Sequence, residues 1–139
     1  MNQELVKDWM TPEVVTLTPD VTVPEAHRLM IDKNVRRLPV LINDQLVGIV
    51  TLGDIRGAKP SGVTSLSVWE LNFLLANLKI EQVMAANPIT ISQDAPVGEA
   101  ARTMMDHKIS GLPVVNDSGK VVGIITESDI FRMVVQKWL

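Results

Sequence analysis

A chain of 139 residues, 46% apolar and 21% charged, can bury a core as one globular unit or as two small halves, which excludes a disordered tail and an elaborate multidomain enzyme. The absence of cysteine excludes a disulfide framework, a zinc-cysteine centre and thiol catalysis, and agrees with a reducing cytoplasm. A formal charge of −3, with Arg36-Arg37 the one adjacent arginine pair, offers no broad basic surface, so nucleic acid is not an expected partner. Glu4, Lys7 and Asp8 make the first residues unlike a signal peptide, and no apolar run approaches the roughly 20 residues that cross a bilayer. A cytoplasmic protein that is not in a membrane is expected.

In chain order, Val14-Val15-Thr16-Leu17 is a β-branched run that predicts a strand. Thr22 with Glu25 three residues on resembles a capping box, and Val23, Ala26 and Met30 form an apolar face at helical spacing. Residues 38–42 and 46–51 predict a hairpin turned at Asn43-Asp44, and Asp54 stands where a closing helix should start. The Gly- and Pro-rich run 56–62 predicts a loop. Ser67 with Glu70 forms a second capping box opening a further helix whose apolar stripe is Val68, Leu71, Leu74, Leu75 and Leu78; Trp69 and Phe73 lie partly off it and could meet a partner subunit. The order then recurs: a strand over 88–91, a helix over 97–107, a hairpin turned at Asp117-Ser118-Gly119, and a last helix from Asp129 through Ile130, Phe131, Val134 and Val135. Met30, Met104 and Met105 are read as core filling.

The recurrence is a duplication. Residues 10–42 laid over 84–116 give 12 identities in 33 positions, and 46–55 over 121–130 give 6 in 10. Leu38-Pro39-Val40 recurs as Leu112-Pro113-Val114, and Gly48, Thr51 and Asp54 recur as Gly123, Thr126 and Asp129. Each copy, about 50 residues, buries too little apolar surface to stand alone, so the two must pack together.

The doubled strand-Thr-x-x-Asp-helix pattern, the Leu-Pro-Val element and the β-α-β-β-α order resemble the cystathionine-β-synthase-type (CBS) domain pair, over nearly the whole chain. The insert 64–78, with Ser-Val-Trp-Glu-Leu-Asn, is similar to that of acetoin-utilisation type members. The expected fold is therefore α/β (α+β): CBS repeat 1 over 1–66, an inter-repeat helix over 67–79 and CBS repeat 2 over 80–139, related by a pseudo-two-fold axis. The resemblance implies an adenine nucleotide (AMP, ADP or ATP) or S-adenosylmethionine as regulatory ligand in the clefts between the repeats, with each Asp accepting from the ribose hydroxyls and each Thr reaching ribose or phosphate. Carried over, one cleft holds Thr126 and Asp129 with Thr11 to Val15 and with Val35-Arg36. The other holds Thr51 and Asp54 with Ala86 to Ile89, Ile109-Ser110 and Arg37. Arg36 and Arg37 suit phosphate because a guanidinium donates two parallel bonds to an oxyanion; the second copy has Ser110-Gly111 there.

Simpler readings stand beside these. Asp54 and Asp129 could be plain N-caps, and spacing alone favours neither role; their duplication with Thr favours ligand contact. Single arginines are more often surface charges than phosphate ligands. His27 and His107 are not repeat equivalents and neither sits at metal-ligand spacing, so no catalytic residue and no metal are expected. A regulatory sensor, forming a homodimer and signalling to an unidentified protein, is the first reading. The alternative is a structural dimerisation module without ligand, and a small nucleotide hydrolase is a third.

Overall fold

The computed structural model describes residues 3–12, 14–58 and 67–139. The loop residues Lys59, Pro60, Ser61 and Gly62, and Thr64 of the insert, lie outside the described residues. The elements are α1 (Val6–Trp9), α2 (Val23–Lys33), β1 (Arg37–Ile42), β2 (Gln45–Thr51), α3 (Leu52–Arg56), α4 (Val68–Asn77), a 3-10 turn (Ile80–Gln82), β3 (Ala85–Ala86), β4 (Ile91–Ser92), α5 (Val97–His107), β5 (Gly111–Val115), β6 (Val121–Thr126) and α6 (Glu127–Trp138). They form two compact units, Val15–Pro88 and Met1–Val14 with Ile89–Leu139.

In the unit Val15–Pro88, β1 and β2 pair antiparallel around Asn43 and Asp44, whose φ values of 49° and 64° are the left-handed pair that a two-residue type I′ turn requires. β3 continues the sheet antiparallel to β2, with Gly48 opposite Ala86. Thr22 caps α2, its hydroxyl oxygen accepting the Glu25 N–H at 3.3 Å. The Glu25 carboxylate takes the Thr22 hydroxyl at 2.8 Å instead of the Thr22 backbone N–H, so the predicted box is only half formed. Val23, Ala26 and Met30 of α2 are buried with Leu38, Val40, Val50 and Ile80.

The strand expected over 14–17 pairs at Leu17 alone, parallel to Val40, and the one expected over 88–91 is β4, shifted toward its end. Proline explains both. Leu17 N–H donates to Pro39 O at 3.0 Å and Leu41 N–H to Leu17 O at 2.8 Å. The next upstream rung of this parallel ladder would need the N–H of Pro39, which does not exist. Pro113 ends the ladder between β4 and β5 in the same way, one residue before Val114, the partner of Ile91.

α4 is capped by Ser67, whose side chain accepts from Glu70 N at 3.2 Å, but the Glu70 carboxylate takes the Ser67 hydroxyl at 3.2 Å, so this expected box is also only half formed. Its stripe is only partly covered: Leu71 and Leu75 are half-buried and Leu78 buried, but Val68 and Leu74 are exposed, because α4 packs on α2 along one narrow face. Trp69 (85%) and Phe73 (68%) are exposed.

In the other unit β4 runs parallel to β5, and β5 pairs antiparallel with β6. The turn between them uses Gly119 at φ +80° and the Asn116 side chain, which accepts from Ser118 N and Lys120 N. Met104 is buried with Ala100, Leu112, Val114 and Ile125. Met105 is 78% exposed, not core as expected, since the adjacent residue on a helix points about 100° away. α6 begins at Glu127, two residues before the expected Asp129, because Thr126 carries the cap.

The segment preceding each copy packs on the other copy's strands. Val6 N–H donates to Ala95 O at 2.9 Å and Thr11 exchanges two bonds with Ile124, at 2.8 and 3.0 Å. At the equivalent place Ile80 N–H donates to Val21 O at 2.8 Å and Ala85 pairs with Ile49. Val6 and Ile80 are both fully buried. Among the described residues, no helix is long and apolar enough to cross a membrane.

Candidate functional site

Each copy's second hairpin strand ends in a threonine that turns directly into a helix. Thr126 caps α6: its Oγ1 accepts Asp129 N–H at 3.4 Å, while Asp129 Oδ2 accepts Thr126 N–H at 2.9 Å and the Thr126 hydroxyl at 3.2 Å. Thr51 caps α3 likewise, with Asp54 Oδ2 accepting Thr51 N–H at 2.9 Å and Thr51 Oγ1 accepting Asp54 N–H at 3.1 Å. Both are complete capping boxes, with Thr as the N-cap and Asp at the third helical position. The reading of the aspartates as N-caps is corrected accordingly: the hydroxyl does the capping and the carboxylate closes the box from inside the helix. A carboxylate in a first turn also faces the positive end of the helix dipole, and one of its oxygens lies outside the box.

The copies differ at that second oxygen. Asp129 Oδ1 lies 3.3 Å from Arg132 Nη2, which also donates to Trp9 O at 2.9 Å. The guanidinium carbon sits 5.1 Å from the centroid of the Trp9 ring, and Trp9 is buried against Val97 and Met133. Asp129 is 7% exposed, the one buried charged residue among those described. Asp54 is half-buried, and Gly57 and Val83 stand where the other copy has Arg132 and Trp9. An Asp-Arg pair at i, i+3 is visible in sequence; the arrival of Trp9 from 123 residues away is not.

The remaining expected residues divide between the units. Thr11 bridges Ile124 of β6, two residues before Thr126, and Ala86 lies opposite Gly48 of β2, three residues before Thr51. Arg36 is exposed, and its carbonyl accepts Leu52 N–H at 2.8 Å; Arg37 pairs in register with Thr51. Ser110 is the counterpart of Arg36, its carbonyl accepting Glu127 N–H at 3.0 Å. Thr51, Asp54, Arg36, Arg37 and Val15 thus belong to the unit Val15–Pro88, and Thr126, Asp129, Ser110 and Ile89 to the other. Val15 is half-buried against the core and Ile89 is exposed. Among the described residues no three His, Asp or Glu side chains gather as a cation site.

The CBS domain profile matches residues 6–61 and 80–136. The chain belongs to the CBS domain family. A CBS domain-containing protein of Dictyostelium discoideum is 33% identical over 133 residues, 95% of this chain and 92% of that protein. The CBS domain pair of protein MJ0100, solved with 5-methylthioadenosine and S-adenosyl-L-methionine, superposes with a TM-score of 0.79 at 35% identity, covering 98% of this chain and 99% of that one. The CBS protein CBSX2, solved with AMP, gives a TM-score of 0.77 at 29% identity over 96% and 97% of the two chains. A Vibrio cholerae protein assigned to acetoin utilization (AcuB) gives 0.78 at 30% identity over 97% and 93%. The CBS pair spans about a quarter of the length of the curated enzymes it matches, such as the inosine-5′-monophosphate dehydrogenase of Korarchaeum cryptofilum (34% identity, 90% of this chain, 23% of that protein).

Proposed function

We propose that this CBS pair is a regulatory, non-catalytic module that binds an adenine nucleotide or S-adenosylmethionine and signals its occupancy to a partner protein in the cytoplasm. The observation that carries the reading is the duplicated capping box, which holds a carboxylate rigidly at the start of a helix with only one of its oxygens closing the box. A vicinal diol is met by such an acceptor, so Asp54 and Asp129 take the ribose hydroxyls, with Thr51 and Thr126 beside them. Arg36 and Arg37 serve phosphate, Ser110 is the uncharged counterpart of Arg36, and Val15 and Ile89 offer apolar surface to the base. The relatives solved with AMP, 5-methylthioadenosine and S-adenosyl-L-methionine support the ligand class.

Occupancy becomes a signal only if the ligand binds one conformation better than another, and its differential affinity bounds the shift. The exposed apolar residues Trp69 and Phe73 on α4, and Phe131 and Trp138 on α6, favour self-association as a homodimer. Thermal unfolding with AMP, ATP and S-adenosylmethionine, followed by titration calorimetry, tests the reading. A ligand at 100 times its dissociation constant adds about 2.7 kcal/mol. An unmoved melting temperature with all three would leave the ligand-free dimerisation module, and steady hydrolysis abolished by Asp129→Ala would make the protein an enzyme.

A further inference from the structure

We propose that Arg132 is a positioning residue that makes Asp129 the stronger of the two ribose acceptors, an inference resting on the nucleotide-binding reading above. The duplicated aspartates differ in what holds them. Asp54 is fixed from one side, by its capping box with Thr51. Asp129 is fixed from two, by Thr126 on Oδ2 and by Arg132 on Oδ1.

Arg132 is itself pinned. Its Nη2 donates to Trp9 O, its guanidinium lies over the Trp9 ring, and Trp9 is anchored in the core of its unit. A charge-assisted bond from so constrained a donor sets the torsion of the Asp129 carboxylate before any ligand arrives. A carboxylate oxygen has two lone-pair directions, so Oδ1 can hold Arg132 and still accept a ribose hydroxyl. An acceptor already in its bound geometry loses less freedom on binding, and that difference appears as affinity. In the first copy Gly57 has no side chain to play this part, and Val83 gives no ring or equivalent anchor.

The test is calorimetry of adenosine and 2′,3′-dideoxyadenosine against the whole chain, in an Asp54→Ala background that silences the weaker acceptor. Arg132→Met keeps an apolar stem over Trp9 and removes the guanidinium; Arg132→Ala removes both. Both variants should weaken adenosine about tenfold while leaving the dideoxy compound, which has no hydroxyls for Asp129, within about twofold. In the otherwise wild-type chain, Asp129→Ala should cost more adenosine affinity than Asp54→Ala.

Equal weakening of both ligands would make Arg132 merely structural and overturn the proposal. Unchanged or tighter adenosine binding would show that Arg132 is idle or competes with ribose, and would overturn it too. In both cases the protein still binds adenosine, so the reading beneath survives. A parent chain that binds no adenine compound overturns both.

Discussion

A Cβ built on Gly123 would stand 2.5 Å from Met10 Sδ and 2.9 Å from the carbonyl oxygen of Thr11. The repeat equivalent Gly48 meets Met84 Sδ at 2.5 Å and Ala85 O at 3.0 Å. Both glycines lie where the exchanged segment crosses the strand leading to the capping threonine, and its backbone cannot pair there across a methyl group. Gly123→Ala should therefore destabilise the protein by about 1–3 kcal/mol in urea unfolding. Adding Met10→Ala should restore only part, because the Thr11 oxygen stays in place. Complete restoration would show that the thioether alone enforces glycine.

The capping boxes make different demands on the two aspartates. Thr51→Ala and Thr126→Ala should each cost about 1 kcal/mol, a lost N-cap. Asp54→Ala should cost a similar amount. Asp129→Ala should cost about 2 kcal/mol, since it also strips Arg132 of its carboxylate beside a buried tryptophan. Equal losses at the two aspartates in chemical denaturation would mean that the Arg132 bond adds nothing to stability.

Lys108 ends α5 at φ 54°, the left-handed position that Asn34 fills at the end of α2. A lysine Cβ is crowded there, whereas asparagine tolerates it better. Lys108→Gly should raise stability by about 0.5–1 kcal/mol, and Asn34→Gly by less. Thermal melts of the two variants side by side check the order.

Asp20 gives a pH signature. The Thr18 hydroxyl, donating to Asp20 Oδ1 at 2.5 Å, holds this carboxyl below the usual aspartate value, helped by the Asp20 backbone N–H and by the charge of Lys79. A depressed folded-state pKa contributes stability that is present above the unfolded-chain value and lost as pH falls through the folded one. In an NMR titration the Asp20 carboxyl should turn over below the ordinary aspartate midpoint, and Thr18→Val should move it upward. An unmoved midpoint in the variant would remove Thr18 as the cause.

Much of this protein could be read residue by residue because its signals are local. The caps at Thr22 and Ser67, the Asn43-Asp44 turn and the span of α5 each depend on groups within three or four positions, and the duplication repeats them. Thr51 and Asp54 with their twins were recognisable as a unit, although which of the pair caps the helix depends on φ and ψ at the threonine, which spacing does not carry.

Residue order alone carries the inventory: two copies, most of their elements and the doubled Thr-x-x-Asp. Which distant groups meet is settled by the folded chain. The leading segments crossed to the other copy's strands, Trp9 came to Arg132, and Met105 turned outward while Met104 was buried. Chain-distant contacts are selected by the summed burial and hydrogen bonding of whole elements, so no short window of residues encodes them; and where such contacts differ, as at Arg132 and Gly57, two copies of one motif become two different sites.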